Sequence, residues 1–234
     1  MFSILGHDLK SPLVSFHSAL KLFNEGILEN KSVNTAIDKM DKNLDHLLLT
    51  LDNLLFWGAS QLKGSKTYPG SLVMRDVVEK AAKLLFPLAE AKNIRIENQV
   101  PEVAHCLGDR DQIELVIRNL LTNAIKYTPK EGENIQVKSV ENENHWSFYV
   151  EDSGVGMNKK TQLDLQNRTL LRSSQGTGNE KGSGIGLLLT QRMVKSNGGS
   201  FGFSSEPDKG AVFYFTLPKY TPVVPNKIES EEDE

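Results

Sequence analysis

The sequence predicts an α+β protein in two parts: a helical hairpin forming a dimeric four-helix bundle, followed by an α/β sandwich. Three observations predict it. Apolar residues near the start recur at heptad spacing, the stretch Gly64 to Gly70 breaks that pattern with Ser, Lys and Pro, and helical and strand periodicities alternate beyond it. The expected units are 1–63 for the hairpin, 64–70 for the linker, 71–218 for the sandwich and 219–234 for an acidic tail expected to be disordered.

In the hairpin, Phe2, Leu9, Phe16 and Phe23 recur every seven positions, and Leu13, Leu20 and Ile27 form a second series offset by four. Together they make an a/d seam, and Asn24, Glu25 and Gly26 mark its end. A second seam runs through Ile37, Met40, Leu44, Leu47, Leu51 and Leu54. Two such helices expose more apolar stripe than one hairpin buries, which predicts a homodimer; the alternative is a hairpin packed on its own C-terminal part. In this register His7 falls on an outward b position beside Asp8. The seam gives it no packing role, and neutral imidazole offers a free lone pair as a nucleophile. Pro12 removes one helical hydrogen bond and clashes with the carbonyl of Asp8, so a bend is expected beside His7.

Beyond the linker, Val73 to Lys92 has helical spacing, Asn93 to Val100 alternates as a strand, and a helix runs from about Asp109 to Tyr127. Ile135 to Val140 and Trp146 to Val150 are two strands joined by the polar turn Glu141 to Asn144. A polar segment from Asn158 to Gln175 precedes a Gly-rich stretch and a helix near Ile185 to Ser196, and strands over Phe201 to Ser204 and Val212 to Leu217 complete the sheet.

Composition narrows the function. Lys plus Arg number 27 against 30 Asp plus Glu, so no basic field argues for nucleic acid. The single Cys106 excludes an intramolecular disulfide and fits a reducing compartment. No apolar run approaches the ~20 residues that span a bilayer. Met1 stands only six residues before His7, so the expectation is a soluble, cytoplasmic fragment of a longer protein, lacking an N-terminal sensor module and any membrane-contacting part.

Three motifs carry chemistry. Asn119 and Asn123 lie four apart on one helical face, with Lys126 and Tyr127 a turn later. That face suits a magnesium-bound triphosphate, since an Asn oxygen ligates the hard cation and Lys offsets phosphate charge. Next, Asp152, Gly154 and Gly156 follow a strand. A carboxylate there accepts a hydrogen bond from an exocyclic amine, which adenine offers, and the glycines permit close backbone approach. Finally, Gly182, Gly184 and Gly186 open a helix whose free amides suit phosphate. Each motif is common alone. Their order within about 70 residues, with Gly210-Ala211-Val212-Phe213 after them, is not.

In that order they resemble the catalytic portion of a bacterial two-component sensor histidine kinase. The first half is similar to a dimerisation and histidine-phosphotransfer domain, the second to an ATP-binding domain of the GHKL (Bergerat) type. The resemblance implies His7 as phosphoacceptor, Asp8 as its acid/base partner, and Asn123 as magnesium ligand with Asn119 and Lys126 at the phosphates. It implies Tyr127 lining the nucleotide, Asp152 reading the adenine amine, and the five glycines shaping the pocket. ATP and Mg2+ are the implied cofactors, and a second copy and a response-regulator receiver domain the implied partners. The expected docking face for the receiver lies below His7, at Val14 and Ser18.

The chain departs from the family pattern in places. Ser11 stands where Thr or Asn usually follows the His, leaving a hydroxyl to position water for a phosphatase reaction. Leu163, Leu165, Leu170 and Leu171 replace a phenylalanine-rich stretch, and Ala211 replaces a Thr. Hydrolytic relatives carry a Glu where this chain has Asn119, and an amide takes no proton from water. Transfer to His7 is therefore expected over hydrolysis; the alternative is a nucleotide-binding scaffold or a phosphatase-dominant protein without kinase activity.

Overall fold

The computed structural model describes residues 67–129, 134–167, 176–177 and 186–222, together with Val14, His17, Ser18 and Lys21. His7, Asp8, Ser11, Pro12, both hairpin seams, Gly182, Gly184 and residues 223–234 lie outside the described residues. Val14, His17, Ser18 and Lys21 are helical and exposed, and their spacing puts them on one helical face.

The folded unit begins at β1 (Gly70–Val73), so Gly70 belongs to a strand rather than to the expected linker. β1 pairs antiparallel with β3 (His105–Gly108) in a two-stranded sheet. A second, five-stranded sheet has the order β2 (Arg95–Asn98), β4 (Asn134–Glu141), β5 (His145–Asp152), β7 (Ala211–Pro218), β6 (Phe201–Ser205). β2 and β4 are parallel and the other neighbours antiparallel. A bridge between Cys106 and Lys219, and a bond from the Tyr220 N–H to the His105 carbonyl (3.1 Å), tie the sheets together. Residues 219 and 220, the start of the expected tail, thus belong to the fold.

Helices α1 (Met74–Glu90), α2 (Arg110–Tyr127) and α4 (Gly186–Ser196) form the second layer, which is the predicted sandwich. β7 alternates as a half-buried strand should, and Phe148, Val150, Phe213 and Phe215 are buried in the core, where Phe148 and Phe215 stack at 5.2 Å. Helix residues Val77, Val78, Ile113, Ile117, Leu120, Leu121 and Met193 close the core from the other side. Cys106 is fully buried there, and desolvation pushes its thiol up to about 12. Among the described residues no helix is long and apolar enough to cross a membrane.

The polar segment after Asn158 holds a helix that periodicity did not reveal, α3 (Lys159–Gln166), capped by the Asn158 side chain accepting from the Thr161 N–H at 2.8 Å. None of its residues is fully buried: Leu163 is exposed and Leu165 rests partly buried against the core.

Candidate nucleotide site

Helix α2 carries the site. Its start is fixed by Asp109, whose carboxylate accepts from the Gln112 N–H (3.2 Å) and from the Tyr68 N–H (2.9 Å). Asn197, just beyond α4, accepts from the Asp109 N–H (2.7 Å) and donates to Gln112 Oε1 (2.9 Å), joining the start of α2 to the end of α4.

The last carbonyls of a helix have no intrahelical partner, and here each finds one. Thr128 N–H reaches the Ala124 carbonyl at 3.0 Å. Lys92 Nζ donates to the carbonyls of Ile125 (2.8 Å) and Lys126 (3.1 Å). The Val155 N–H reaches the Tyr127 carbonyl at 3.1 Å. The Thr177 N–H donates to the Lys126 carbonyl at 3.1 Å and its hydroxyl to the Thr128 carbonyl at 2.8 Å. Lys92 is delivered by the turn closing α1, where Asn93 takes a left-handed conformation (φ 57°) and the Ile94 N–H bonds back to the Ala89 carbonyl at 2.9 Å. Lys92 and Thr177 were missed in the sequence: the first read as the end of a helix, the second as part of the Gly-rich stretch after Gln175.

The loop after β5 rests on that same helix end. Asp152 Oδ1 accepts from the Gly154 N–H (2.9 Å) and the Ala211 N–H (3.2 Å), which orients the carboxylate at the strand tip. A Cβ on Gly154 would collide with the Tyr127 carbonyl, and Gly156, at φ +61°, would collide with that of Glu206. The glycines are therefore required by the chain's own backbone crossing at this point. Ser205 completes the loop, its hydroxyl accepting from the Met157 N–H (2.9 Å) and donating to the Gly210 carbonyl (2.7 Å). Beside it, exposed Glu206 and Lys209 pair at 2.6 Å; hydrogen bonding and charge hold the carboxyl below and the ammonium above their usual ranges.

The Asn face is largely buried. Asn119 is buried and Asn123 half-buried. The Asn119 amide faces Gly186 at the start of α4, where an added Cβ would lie 3.6 Å from it, and its Nδ2 is buried with no hydrogen-bond partner. Lys126 is buried too, its ammonium 3.1 Å from the Tyr127 hydroxyl and 4.8 Å from that ring's centroid. The structure thus brings Asn119, Asn123, Lys126, Tyr127, Gly154, Gly156 and Gly186 together along α2, with Asp152 bonded to the Gly154 loop.

Residues 108–221 match the family described as histidine kinase-, DNA gyrase B-, and HSP90-like ATPase. The chain is 28% identical over 218 residues to the sensor protein KdpD of Clostridium acetobutylicum, covering 92% of this chain and 24% of that one. Residues 108–221 carry an ATPase domain of that family, and the chain is similar to the catalytic portion of sensor histidine kinases. The fold agrees: histidine kinase AdeS of Acinetobacter baumannii superposes with a TM-score of 0.68 at 18% identity, over 92% of this chain and 98% of that one. Histidine kinase ThkA, solved in complex with response regulator protein TrrA, superposes with a TM-score of 0.63 at 17% identity, over 94% and 61%. The chain spans 24% to 57% of the length of the first curated sensor kinases it matches.

Proposed function

We propose that this chain is an ATP-dependent protein-histidine kinase that phosphorylates its own His7 and passes the group to an Asp of a receiver domain. The observation that carries the reading is Asn119: a buried amide with an unpartnered Nδ2, aimed at the start of a helix. A buried donor left unpaired costs roughly 1–3 kcal/mol, and a phosphate oxygen at the N-terminus of α4 is the acceptor that this position suits.

The residues fit magnesium-bound ATP. Asp152 takes two backbone N–H groups on Oδ1, an orientation suited to accepting from the adenine amine. Among the described residues no three His, Cys, Asp or Glu side chains cluster, so a cation here would rest on Asn123, phosphate oxygens and water, a donor set magnesium accepts. When bound, the metal offsets charge on the triphosphate. Asn119 offers no general base to activate water, which leaves the γ-phosphoryl group for His7. In the transfer a ring nitrogen of His7 bonds to the γ-phosphorus, the bond to the bridging oxygen breaks, ADP leaves with the electron pair, and Asp8 takes the imidazole proton.

Within this reading Ser11 positions water to hydrolyse the phosphoryl group on the Asp of a bound regulator, releasing inorganic phosphate, and the exposed face with Val14 and Ser18 receives the regulator. The two heptad seams of 1–63 support a homodimer, Gly182 and Gly184 complete the phosphate contacts begun at Gly186, and the catalytic domain, expected over 71–218, takes in Gly70, Lys219 and Tyr220 as well. A cytoplasmic location follows from the need for ATP and a receiver.

The test is incubation with γ-labelled Mg-ATP, comparing wild type with His7→Gln. Label that is acid-labile, alkali-stable and absent from the variant is expected. ATP binding without label would favour the nucleotide-binding scaffold, and phosphate release unaffected by His7→Gln would make the chain a hydrolase.

A further inference from the structure

Four elements distant in sequence meet at the end of α2, and their polar groups match one another. Lys92 is buried, yet its ammonium lies 2.8 Å from the Ile125 carbonyl, 3.1 Å from that of Lys126 and 3.0 Å from the Thr177 hydroxyl, with the Thr128 carbonyl at 3.4 Å. An ammonium has three protons and no acceptor, so the three nearest oxygens use them. Thr177 is matched in the same way. Its hydroxyl oxygen accepts from Lys92, its hydroxyl proton goes to the Thr128 carbonyl, and its N–H goes to the Lys126 carbonyl. The C-terminal end of a helix dipole is where a buried cation is most easily accommodated.

The bonded carbonyls belong to Ile125, Lys126 and Thr128, which bracket the two nucleotide-facing residues Lys126 and Tyr127. The Tyr127 carbonyl, between them, takes the Val155 N–H of the Asp152 loop at 3.1 Å. Thr177 also stands nine positions before Gly186, so one end of 177–186 is tied to the end of α2 while the other lies against Asn119. Those two points on α2 are separated by about two turns, roughly 12 Å.

We infer that Lys92 and Thr177 form a two-residue anchor that sets the position of Lys126 and Tyr127 for ATP binding. Both are positioning residues: they act through backbone carbonyls, and the inference rests on the ATP reading above. Preorganisation of this kind raises affinity by removing the cost of ordering at the moment of binding.

The test uses Thr177→Val, which keeps the side-chain shape and deletes only the hydroxyl, with Thr177→Ser as the conservative variant. Affinity for Mg-ATP and the melting temperature without nucleotide are measured on the full chain. Thr177→Val is expected to bind Mg-ATP about tenfold more weakly, the effect of one lost bond to a charged group. Thr177→Ser is expected to restore affinity to within about twofold, and the nucleotide-free melting temperature, lowered by a few degrees in Thr177→Val, to return close to wild type in Thr177→Ser. Undiminished affinity in Thr177→Val, or a loss that Ser does not restore, overturns the anchor while leaving the ATP reading standing. Wild type that binds no ATP overturns both.

Discussion

The two ends of the α2 stretch from Asn119 to Thr128 are built on opposite terms. At the C-terminal end, the carbonyls of Ala124 through Thr128 are all met, by Thr128, Lys92, Thr177 and Val155. At the other end, around Asn119 and Gly186, buried polar atoms stand without partners: Nδ2 of Asn119, Oγ1 of Thr122, and Oγ1 of Thr190 one turn into α4. At the C-terminal end the backbone is closed without a ligand, and Oγ1 of Thr128 is the buried side-chain atom left without a partner. The unsatisfied end bears a cost that only an added acceptor removes, and that is the signature expected of the place where phosphates bind.

Lys92→Met gives the largest way to break this contrast. It removes the donor to Ile125 and Lys126 while filling the same space, leaving the buried Ile125 carbonyl unpaired and the Lys126 carbonyl with Thr177 alone. A loss of about 3 kcal/mol is expected in denaturant unfolding. A loss below about 1 kcal/mol would mean that the ammonium contributes little to closing the helix.

A smaller effect sets the background against which both ends are measured. The Cys106 thiol has a folded value of about 12 against a reference of 9.0. The unfolded chain therefore releases this proton first as pH rises, and stability falls between about 9 and 12, with no contribution below 9. At pH 10 the effect is roughly 1 kcal/mol. Comparing wild type with Cys106→Ala at pH 8 and pH 10 isolates it: the variant, lacking the thiol, should lose less stability over that interval. An equal loss in both would remove Cys106 as its source.

Much of the site was legible because motifs place it locally. Asn119, Asn123, Lys126 and Tyr127 share a helix whose period is strong, and the Asp152 to Gly156 loop follows a strand whose alternation is plain. The anchor was not legible, since Lys92 and Thr177 reach α2 across 33 and 49 residues respectively, and nothing in local period encodes such a contact. The small sheet escaped for a different reason. GSLV and HCLG are each four residues long, too short to show a period, and become strands only by pairing with each other. The helix α3 has no fully buried residue, so it lacks the apolar stripe by which a helix is recognised, although the Asn158 cap was there to be read. Gly154 and Gly156 clear the backbone of Tyr127 and Glu206, a long-range reason that their local spacing does not show.

The most direct test of the contrast is Asn119→Leu, a near-isosteric change that removes the unpaired donor from its buried position. Chemical unfolding without nucleotide and titration with Mg-ATP should be measured on the same preparation. The expected result is stability equal to wild type or about 1 kcal/mol higher, with Mg-ATP affinity reduced about a hundredfold or more. Undiminished affinity, or a stability loss above about 2 kcal/mol, would show that the amide supports the fold rather than waiting for phosphate.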